Sequence, residues 1–134
     1  MLLNRPAILV VEDEPFIAMD VALAVEDSGG EVIGPAASIS EALELLTDRN
    51  PCGAILDVNL PDGDITRVVE CLVSRGVPMV IQTGIGLPSA LAARFPDLVV
   101  VIKPVMATDL VRRLEALMNV SESNCHCHNS PNST

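Results

Sequence analysis

Five short apolar segments alternate along the chain with longer segments in which apolar residues recur every three or four positions. The short segments lie at 7–11, 31–37, 53–57, 78–83 and 98–102. Apolar runs bounded by turn residues are typical of strands buried on both faces of a sheet, and the longer spacing is typical of helices with one buried face. This alternation predicts an α/β fold, a parallel sheet with helices on both faces.

Helices are predicted between and after these strands. The first is expected from Pro15 to about Ser28, and the second from Glu41 to about Asp48 with Ser40 as its cap. The others are expected at about 64–75 and 88–94, and from a cap at Thr108 to about residue 119.

Composition limits the kind of protein. With 134 residues, 49% of them hydrophobic, the chain can form one globular domain with a substantial core. Its formal net charge of −10 opposes binding to nucleic acid or to an anionic membrane. The N-terminus lacks the features of a signal peptide and no segment is long enough to span a bilayer, so we expect a cytoplasmic protein.

The last residues differ in composition from the rest. Residues 1–120 are expected to form the domain, and the polar residues 121–134 are expected to be a disordered tail. The tail contains Cys125-His126-Cys127-His128, whose alternating spacing differs from that of paired zinc ligands. We therefore expect no structural zinc site there, and the role of the motif stays open.

Chemically active residues follow four of the five predicted strands. Glu12 and Asp13 follow the first strand, Asp57 ends the third, Thr83 ends the fourth, and Lys103, the only lysine, follows the fifth. Because the carboxyl ends of parallel strands lie at one edge, where open α/β sheets bind ligands, these five residues are expected to converge.

Such a cluster suits phosphoryl transfer. Three carboxylates repel one another unless a cation is present, and oxygen ligands suit Mg²⁺ (or Mn²⁺). The cation and Lys103 can neutralise a phosphoryl group, while a hydroxyl hydrogen-bonds to one of its oxygens. A carboxylate beside the metal, here Asp57, can act as the nucleophile and form an aspartyl-phosphate.

Four motifs at the strand ends occur together. They are Val-Glu-Asp-Glu at 11–14, Leu-Asp-Val-Asn-Leu-Pro at 56–61, Thr-Gly at 83–84 and Lys-Pro at 103–104. In combination, over about residues 6–119, they resemble the receiver domain of bacterial two-component response regulators. The resemblance implies a flavodoxin-like (CheY-like) doubly wound sheet of five parallel strands in the order 2-1-3-4-5.

The resemblance also implies a role for each acidic residue. Asp57 is implied to accept a phosphoryl group from a phosphohistidine on a sensor histidine kinase or a phosphotransfer protein. Asp13 and Asp57 are implied to bind Mg²⁺ directly. Glu12 is implied to help to hold the metal, and Asn59 to contribute its backbone carbonyl.

Thr83 is implied to be the switch hydroxyl, and Lys103 to pair with the phosphoryl oxygens. The family usually has an aromatic residue three positions before this lysine, where the chain has Val100, and Gly84 stands where alanine is commoner. The output face is therefore expected to respond differently or more weakly. The segment 81–85 is partly similar to the Phe-Ala-Thr-Gly-Tyr loop of a receiver subgroup typical of α-proteobacteria.

We expect a single-domain response regulator that catalyses only its own phosphorylation and dephosphorylation and is otherwise no enzyme. It is expected to act by switching its binding to a downstream protein target. The apolar first helix is the candidate surface for kinase docking. The face formed by the fourth helix, fifth strand and fifth helix is the candidate for output or homodimerisation.

Three alternatives remain. A haloacid dehalogenase-type aspartyl-phosphate phosphatase also uses a strand-end aspartate, but it requires a second aspartate two residues later, where this chain has Asn59. A pseudo-receiver would act as a binding module without phosphorylation. The chain could also be a fragment of a longer kinase or regulator, with residues 121–134 belonging to a linker.

Overall fold

A computed structural model describes residues 2–121, in which five strands alternate with five helices. The elements are β1 (Ala7–Val11), α1 (Pro15–Asp27), β2 (Glu31–Ala36), α2 (Ile39–Leu46), β3 (Gly53–Asp57), α3 (Thr66–Ser74), β4 (Met79–Thr83), α4 (Ser89–Arg94), β5 (Val99–Ile102) and α5 (Ala107–Ser121). The strands form one parallel sheet in the order β2-β1-β3-β4-β5, which confirms the predicted flavodoxin-like fold.

The sheet separates two hydrophobic clusters. Leu9 and Val11 of β1 belong to the cluster that includes buried residues of α2, α3 and α4, whereas Ile8 and Val10 belong to the cluster with α1 and α5. Successive side chains of a strand point to opposite faces, so a continuous apolar strand packs against helices on both sides. This double burial explains why β1, β3 and β4 could be recognised from their sequence.

Two predicted helix caps are not the caps in the structure. Ser38 caps α2, since its hydroxyl accepts a hydrogen bond from the Glu41 backbone N–H at 3.1 Å, and the predicted cap at Ser40 is wrong. The earlier start places Ile39 in the first turn, where it is buried in the core. Thr108 likewise lies inside α5, which begins at Ala107, and does not precede the helix.

The structure describes only the first residue of the predicted C-terminal tail. Ser121 ends α5, so the predicted boundary after residue 120 falls within that helix. The remainder of the predicted tail, with the motif at 125–128, lies outside the described residues. Among residues 2–121, no helix is long and apolar enough to cross a membrane.

Candidate functional site

The carboxyl edge of the sheet holds the five residues that sequence reasoning selected. Glu12 follows β1, Asp57 ends β3, Thr83 ends β4 and Lys103 follows β5. Asp13 follows Glu12, and carboxylate oxygens of Glu12, Asp13 and Asp57 lie within 4.8 Å of one another. Strands that are far apart in the chain therefore bring three acids and one lysine to one place.

Asp57 is almost completely buried, with 1% of its surface exposed. Its Oδ1 accepts a hydrogen bond from the Asn59 backbone N–H at 2.9 Å, and its Oδ2 lies 2.8 Å from Lys103 Nζ. A carboxylate buried without such partners would cost several kcal/mol, on the order of 3–5. The ion pair with Lys103 therefore offsets much of the cost of burying the Asp57 side chain at this position.

Lys103 is held in its charged form. Its partial burial would by itself lower the pKa, because desolvation disfavours an ammonium group. The hydrogen bond to Asp57 and the negative charges of Asp57, Glu12 and Asp13 act in the opposite direction, and together they hold the pKa of Lys103 above its usual value. The site therefore contains a fixed cation next to the buried carboxylate.

Glu12 is a second buried carboxylate, 2% exposed. Its Oε1 accepts a hydrogen bond from Gln82 Nε2 at 3.0 Å, and its Oε2 accepts one from the Glu14 backbone N–H at 3.1 Å. Burial is the main reason that the pKa of Glu12 is raised to about 7, and the proximity of Asp57 acts in the same direction. The charge of Glu12 thus depends strongly on its surroundings.

Sequence reasoning missed two residues that contact Glu12. Gln82 is buried, with 2% of its surface exposed, and it is the one amide in the otherwise apolar segment before Thr83. Glu14 donates its backbone N–H to Glu12, and its side chain accepts from the Phe16 N–H at the start of α1. A polar residue inside a buried strand was the available signal for Gln82, but its partner could not be read from the chain.

Thr83 is completely buried, and its hydroxyl is bonded into the connection between β4 and α4. The Oγ1 donates to the Gly86 carbonyl at 3.0 Å and accepts from the backbone N–H groups of Ile85 at 3.2 Å and Gly86 at 3.1 Å. In this conformation the hydroxyl therefore holds the connection at 84–88 and uses its hydrogen-bonding capacity there.

The acidic residues fit a divalent cation. Glu12, Asp13 and Asp57 supply hard oxygen donors from three carboxylates, and Mg²⁺ is bound in proteins by such donors together with retained water. Asp13 is exposed, and it lines with Asn59 an open groove of about 720 Å³. A cation and its water can therefore approach from this groove and relieve the repulsion between the carboxylates.

Next to the site, α1 presents apolar side chains to solvent. We call Phe16, Met19 and Leu23 the α1 stripe; they are 77%, 57% and 52% exposed and lie three or four positions apart on one face. A groove of about 580 Å³ between α1 and α5 is lined by both Lys103 and the 69% exposed Met106. The groove thus reaches Lys103, and the α1 stripe lies on the same helix as its lining residues Ile17 and Val21.

A second apolar region lies along β5. Val100 is half-buried and packs against the cluster that includes α2, α3 and α4. Ile102, two positions further on the same face, is 56% exposed. Since α4 has only six residues, from Ser89 to Arg94, it leaves the end of β5 uncovered.

Comparison with curated proteins finds transcriptional regulators. No protein-family model matches the sequence. The chain is 32% identical over 112 residues to the transcriptional regulatory protein PdtaR of Mycobacterium tuberculosis, covering 81% of this chain and 54% of PdtaR. It is 39% identical over 79 residues to the phyllosphere-induced regulator PhyR of Methylorubrum extorquens, covering 57% of this chain and 30% of PhyR. The chain thus spans about half of PdtaR and less of PhyR.

Solved structures with a similar fold include receiver domains. The CheY-like receiver domain protein of Methanospirillum hungatei has a TM-score of 0.78 at 24% identity, covering 89% of this chain and 98% of that one. A receiver domain protein of Clostridium thermocellum has a TM-score of 0.73 at 27% identity, with the same coverage of 89% and 98%. The response regulator PhyR of Brucella abortus has a TM-score of 0.69 at 31% identity, covering 93% of this chain and 55% of PhyR.

Proposed function

Since this chain has the receiver domain of bacterial two-component response regulators, we propose that Asp57 accepts a phosphoryl group and thereby changes how the domain binds a downstream protein. The observation that carries this proposal is the ion pair of Asp57 and Lys103 at 2.8 Å, next to the carboxylates of Glu12 and Asp13. A buried nucleophile beside a fixed cation and a potential metal site is what phosphoryl transfer to a carboxylate requires.

In the proposed step, a carboxylate oxygen of Asp57 attacks the phosphorus atom of a phosphohistidine on a sensor histidine kinase or phosphotransfer protein. The new O–P bond forms while the P–N bond to the imidazole breaks, and the electron pair of that bond stays on the imidazole nitrogen. Lys103 already lies beside Asp57, so its ammonium is in place to balance the charge of the transferred group.

Mg²⁺ or Mn²⁺, when bound, supplies further neutralisation of the phosphoryl charge. The residues that would hold it are Asp13 and Asp57 through their carboxylates, Glu12 from its position beside them, and Asn59 through its backbone carbonyl. Glu12 already accepts two protein hydrogen bonds, which suits a residue that holds the metal through water.

We assign the switch to Thr83. To hydrogen-bond a phosphoryl oxygen, its hydroxyl has to leave the Gly86 carbonyl and the N–H groups of Ile85 and Gly86. The connection at 84–88 then loses the side chain that holds it. Because Val100 replaces the usual aromatic residue, the movement of this connection itself is proposed to alter the surface beside α4 and β5.

The partners follow from the exposed surfaces. The groove between α1 and α5 is lined by Lys103, and α1 also carries the exposed α1 stripe, so we propose that the phosphoryl donor docks along α1 with its phosphohistidine at the carboxyl edge of the sheet. The uncovered end of β5 near Ile102 is proposed to contact the downstream target or a second copy of the chain. A cytoplasmic location is part of this proposal, because the donor is itself phosphorylated from ATP.

Phosphorylation with a small-molecule donor tests the proposal directly. The protein is incubated with Mg²⁺ and acetyl phosphate, and its intact mass is measured with and without EDTA. We expect one added phosphate that requires the metal and is absent from Asp57→Asn. Asp64→Asn is the matched control, because Asp64 lies in the same loop and bonds only to the start of α3. An unmodified wild type, or an adduct that persists in Asp57→Asn, contradicts the proposal.

A further inference from the structure

The side chain of Gln82 reaches across β3 to Glu12. Gln82 on β4 is the register partner of Asp57 on β3, and Glu12 follows Val11, whose partner is Leu56 on β3. Glu12, Asp57 and Gln82 therefore lie side by side across three adjacent strands. The hydrogen bond of 3.0 Å between Gln82 Nε2 and Glu12 Oε1 thus joins β4 to the residue that follows β1, across the position of Asp57 at the end of β3.

This hydrogen bond is buried at both ends, since Glu12 and Gln82 are each 2% exposed. A hydrogen bond is electrostatically stronger where water is excluded, and breaking it would leave a buried polar group without a partner. Gln82 donates to Oε1, and the Glu14 backbone N–H donates to Oε2. Two donors from different elements therefore determine the rotation of the Glu12 carboxylate.

Packing alone does not explain an amide at this position. β4 is buried along its whole length, and Val80, the preceding residue on the same face, is part of the hydrophobic cluster with α1 and α5. An aliphatic residue would fill the space without the cost of removing an amide from water, which is about 1–3 kcal/mol when no hydrogen bond compensates it. The polar group of Gln82 is therefore best explained by its contact with Glu12.

We propose that Gln82 is a positioning residue that orients Glu12 for the divalent cation. The inference rests on the proposed function, because the cation belongs to it. When the amide is removed, the Glu12 carboxylate keeps one donor and can turn away from Asp13 and Asp57. Loss of a group that orients a metal-holding residue typically lowers metal affinity by about 10–100-fold, and we expect about tenfold here.

Calorimetric titration with Mg²⁺ measures this effect without any phosphoryl transfer, and the method suits a chain with neither Trp nor Tyr. Gln82→Met keeps the length of the side chain and removes the donor, and we expect about tenfold weaker binding than in the wild type. Val101→Ala is the matched control. Val101 is the register partner of Gln82 on β5, so shortening its side chain perturbs packing on the same face. If Gln82→Met does not fold, Gln82→Asn has the same expected result, since its shorter amide cannot reach Glu12.

A double-mutant cycle separates positioning from packing. In a Glu12→Ala background, Gln82→Met should change the Mg²⁺ affinity by less than about twofold, because the residue through which it acts is missing. A packing role would instead give the same loss in both backgrounds. The side-chain amide resonances of Gln82 provide a second measurement, and we expect them to shift in Glu12→Ala and to stay unchanged in Val101→Ala.

The outcomes distinguish this inference from the proposed function. If the wild type binds Mg²⁺ and accepts a phosphoryl group on Asp57 while Gln82→Met binds Mg²⁺ equally well or more tightly, the inference on Gln82 is overturned and the proposed function stands. If the wild type binds no Mg²⁺, both are overturned. Equal losses in the wild-type and Glu12→Ala backgrounds overturn the positioning role alone.

Discussion

Lys103 Nζ and Asp57 Oδ2 lie 2.8 Å apart although the two residues are separated by 46 positions in the chain. The contact joins the end of β3 to the segment after β5 and passes the intervening strand β4. It provides the main neutralisation of a carboxylate that is only 1% exposed. The same pair therefore contributes to the stability of the sheet edge and to its proposed chemistry.

Lys103→Met should destabilise the protein by about 2 kcal/mol, because it leaves the buried Asp57 carboxylate without its cation. The estimate is below that for a fully buried pair, since 28% of the Lys103 side chain is exposed. Urea unfolding near pH 7 without divalent cations measures the change, and Lys103→Arg, which keeps a positive charge, should lose less. Equal stability of Lys103→Met and the wild type would refute this account of the pair.

Glu12 should make the wild type less stable as the pH rises. Its pKa is raised from 4.5 to about 7 in the folded protein, mainly by burial, so folding favours its protonated form. This contribution to stability is fully present below the unfolded pKa of 4.5 and is lost as the pH rises through about 7.

We therefore expect the difference in unfolding free energy, Glu12→Gln minus wild type, to increase as the pH rises. Between about pH 4 and pH 8 the increase should be at most about 3 kcal/mol. Urea unfolding at several pH values without divalent cations gives the difference. The exposed Glu44→Gln is the control for loss of one negative charge. A constant difference between Glu12→Gln and the wild type over this range would argue against a buried, easily protonated Glu12.

Thr83→Val should loosen the connection between β4 and α4. The substitution keeps the shape of the side chain but removes the hydroxyl that bonds to Ile85 and Gly86. We expect faster amide hydrogen exchange at both residues and a loss of about 1 kcal/mol of stability. In Thr83→Ser, which retains the hydroxyl, the amides of Ile85 and Gly86 should exchange nearly as slowly as in the wild type. Unchanged exchange of these amides in Thr83→Val would contradict the assigned contacts.

Asp62→Ala should release the start of α2. The Asp62 carboxylate accepts hydrogen bonds from the backbone N–H groups of Ile39 at 2.9 Å and Ser40 at 3.0 Å. These two donors hold the pKa of Asp62 below its usual value, so its stabilising effect is present at neutral pH and is lost as acid protonates the group. Amide exchange at Ile39 and Ser40 should accelerate in Asp62→Ala. Asp64→Ala serves as the control, because Asp64 bonds within its own segment to Thr66, and equal exchange in the two variants would contradict the cap.

The sequence was sufficient for the architecture and for the positions of the site residues. Buried parallel strands such as β3 and β4 are continuous apolar runs, and the parallel topology brings their carboxyl ends together whatever the details of packing. Asp57 and Lys103 could therefore be placed at one edge without knowledge of any distance. The cap of α2 was assigned wrongly although a signal was present, because Glu41 stands three residues after Ser38, the spacing of a capping box, whereas Leu43 stands three residues after Ser40.

The partners of each side chain could not be predicted in the same way. The bond from Gln82 to Glu12 crosses a whole strand, and the two caps on α2 from Asp62 come from 22 and 23 positions away. Such contacts depend on side-chain reach and strand register, which the pattern of apolar residues leaves undetermined. Thr83 shows the same limit, since its motif indicates a hydroxyl at the site but not the loop that the hydroxyl holds.

The two connections that flank Asp57 are restrained to different degrees. The connection after β3 is tied by Asp62 to the start of α2, an attachment that does not involve the phosphoryl site. The connection after β4 is tied by the hydroxyl of Thr83, which is the group that phosphorylation is proposed to recruit. Added charge at Asp57 should therefore displace the connection after β4 more than the one after β3, although Asn59 of the latter contacts Asp57 directly. The proposed response is therefore directional: the connection beside α4 and β5 is expected to move, while the start of α2 is expected to stay in place.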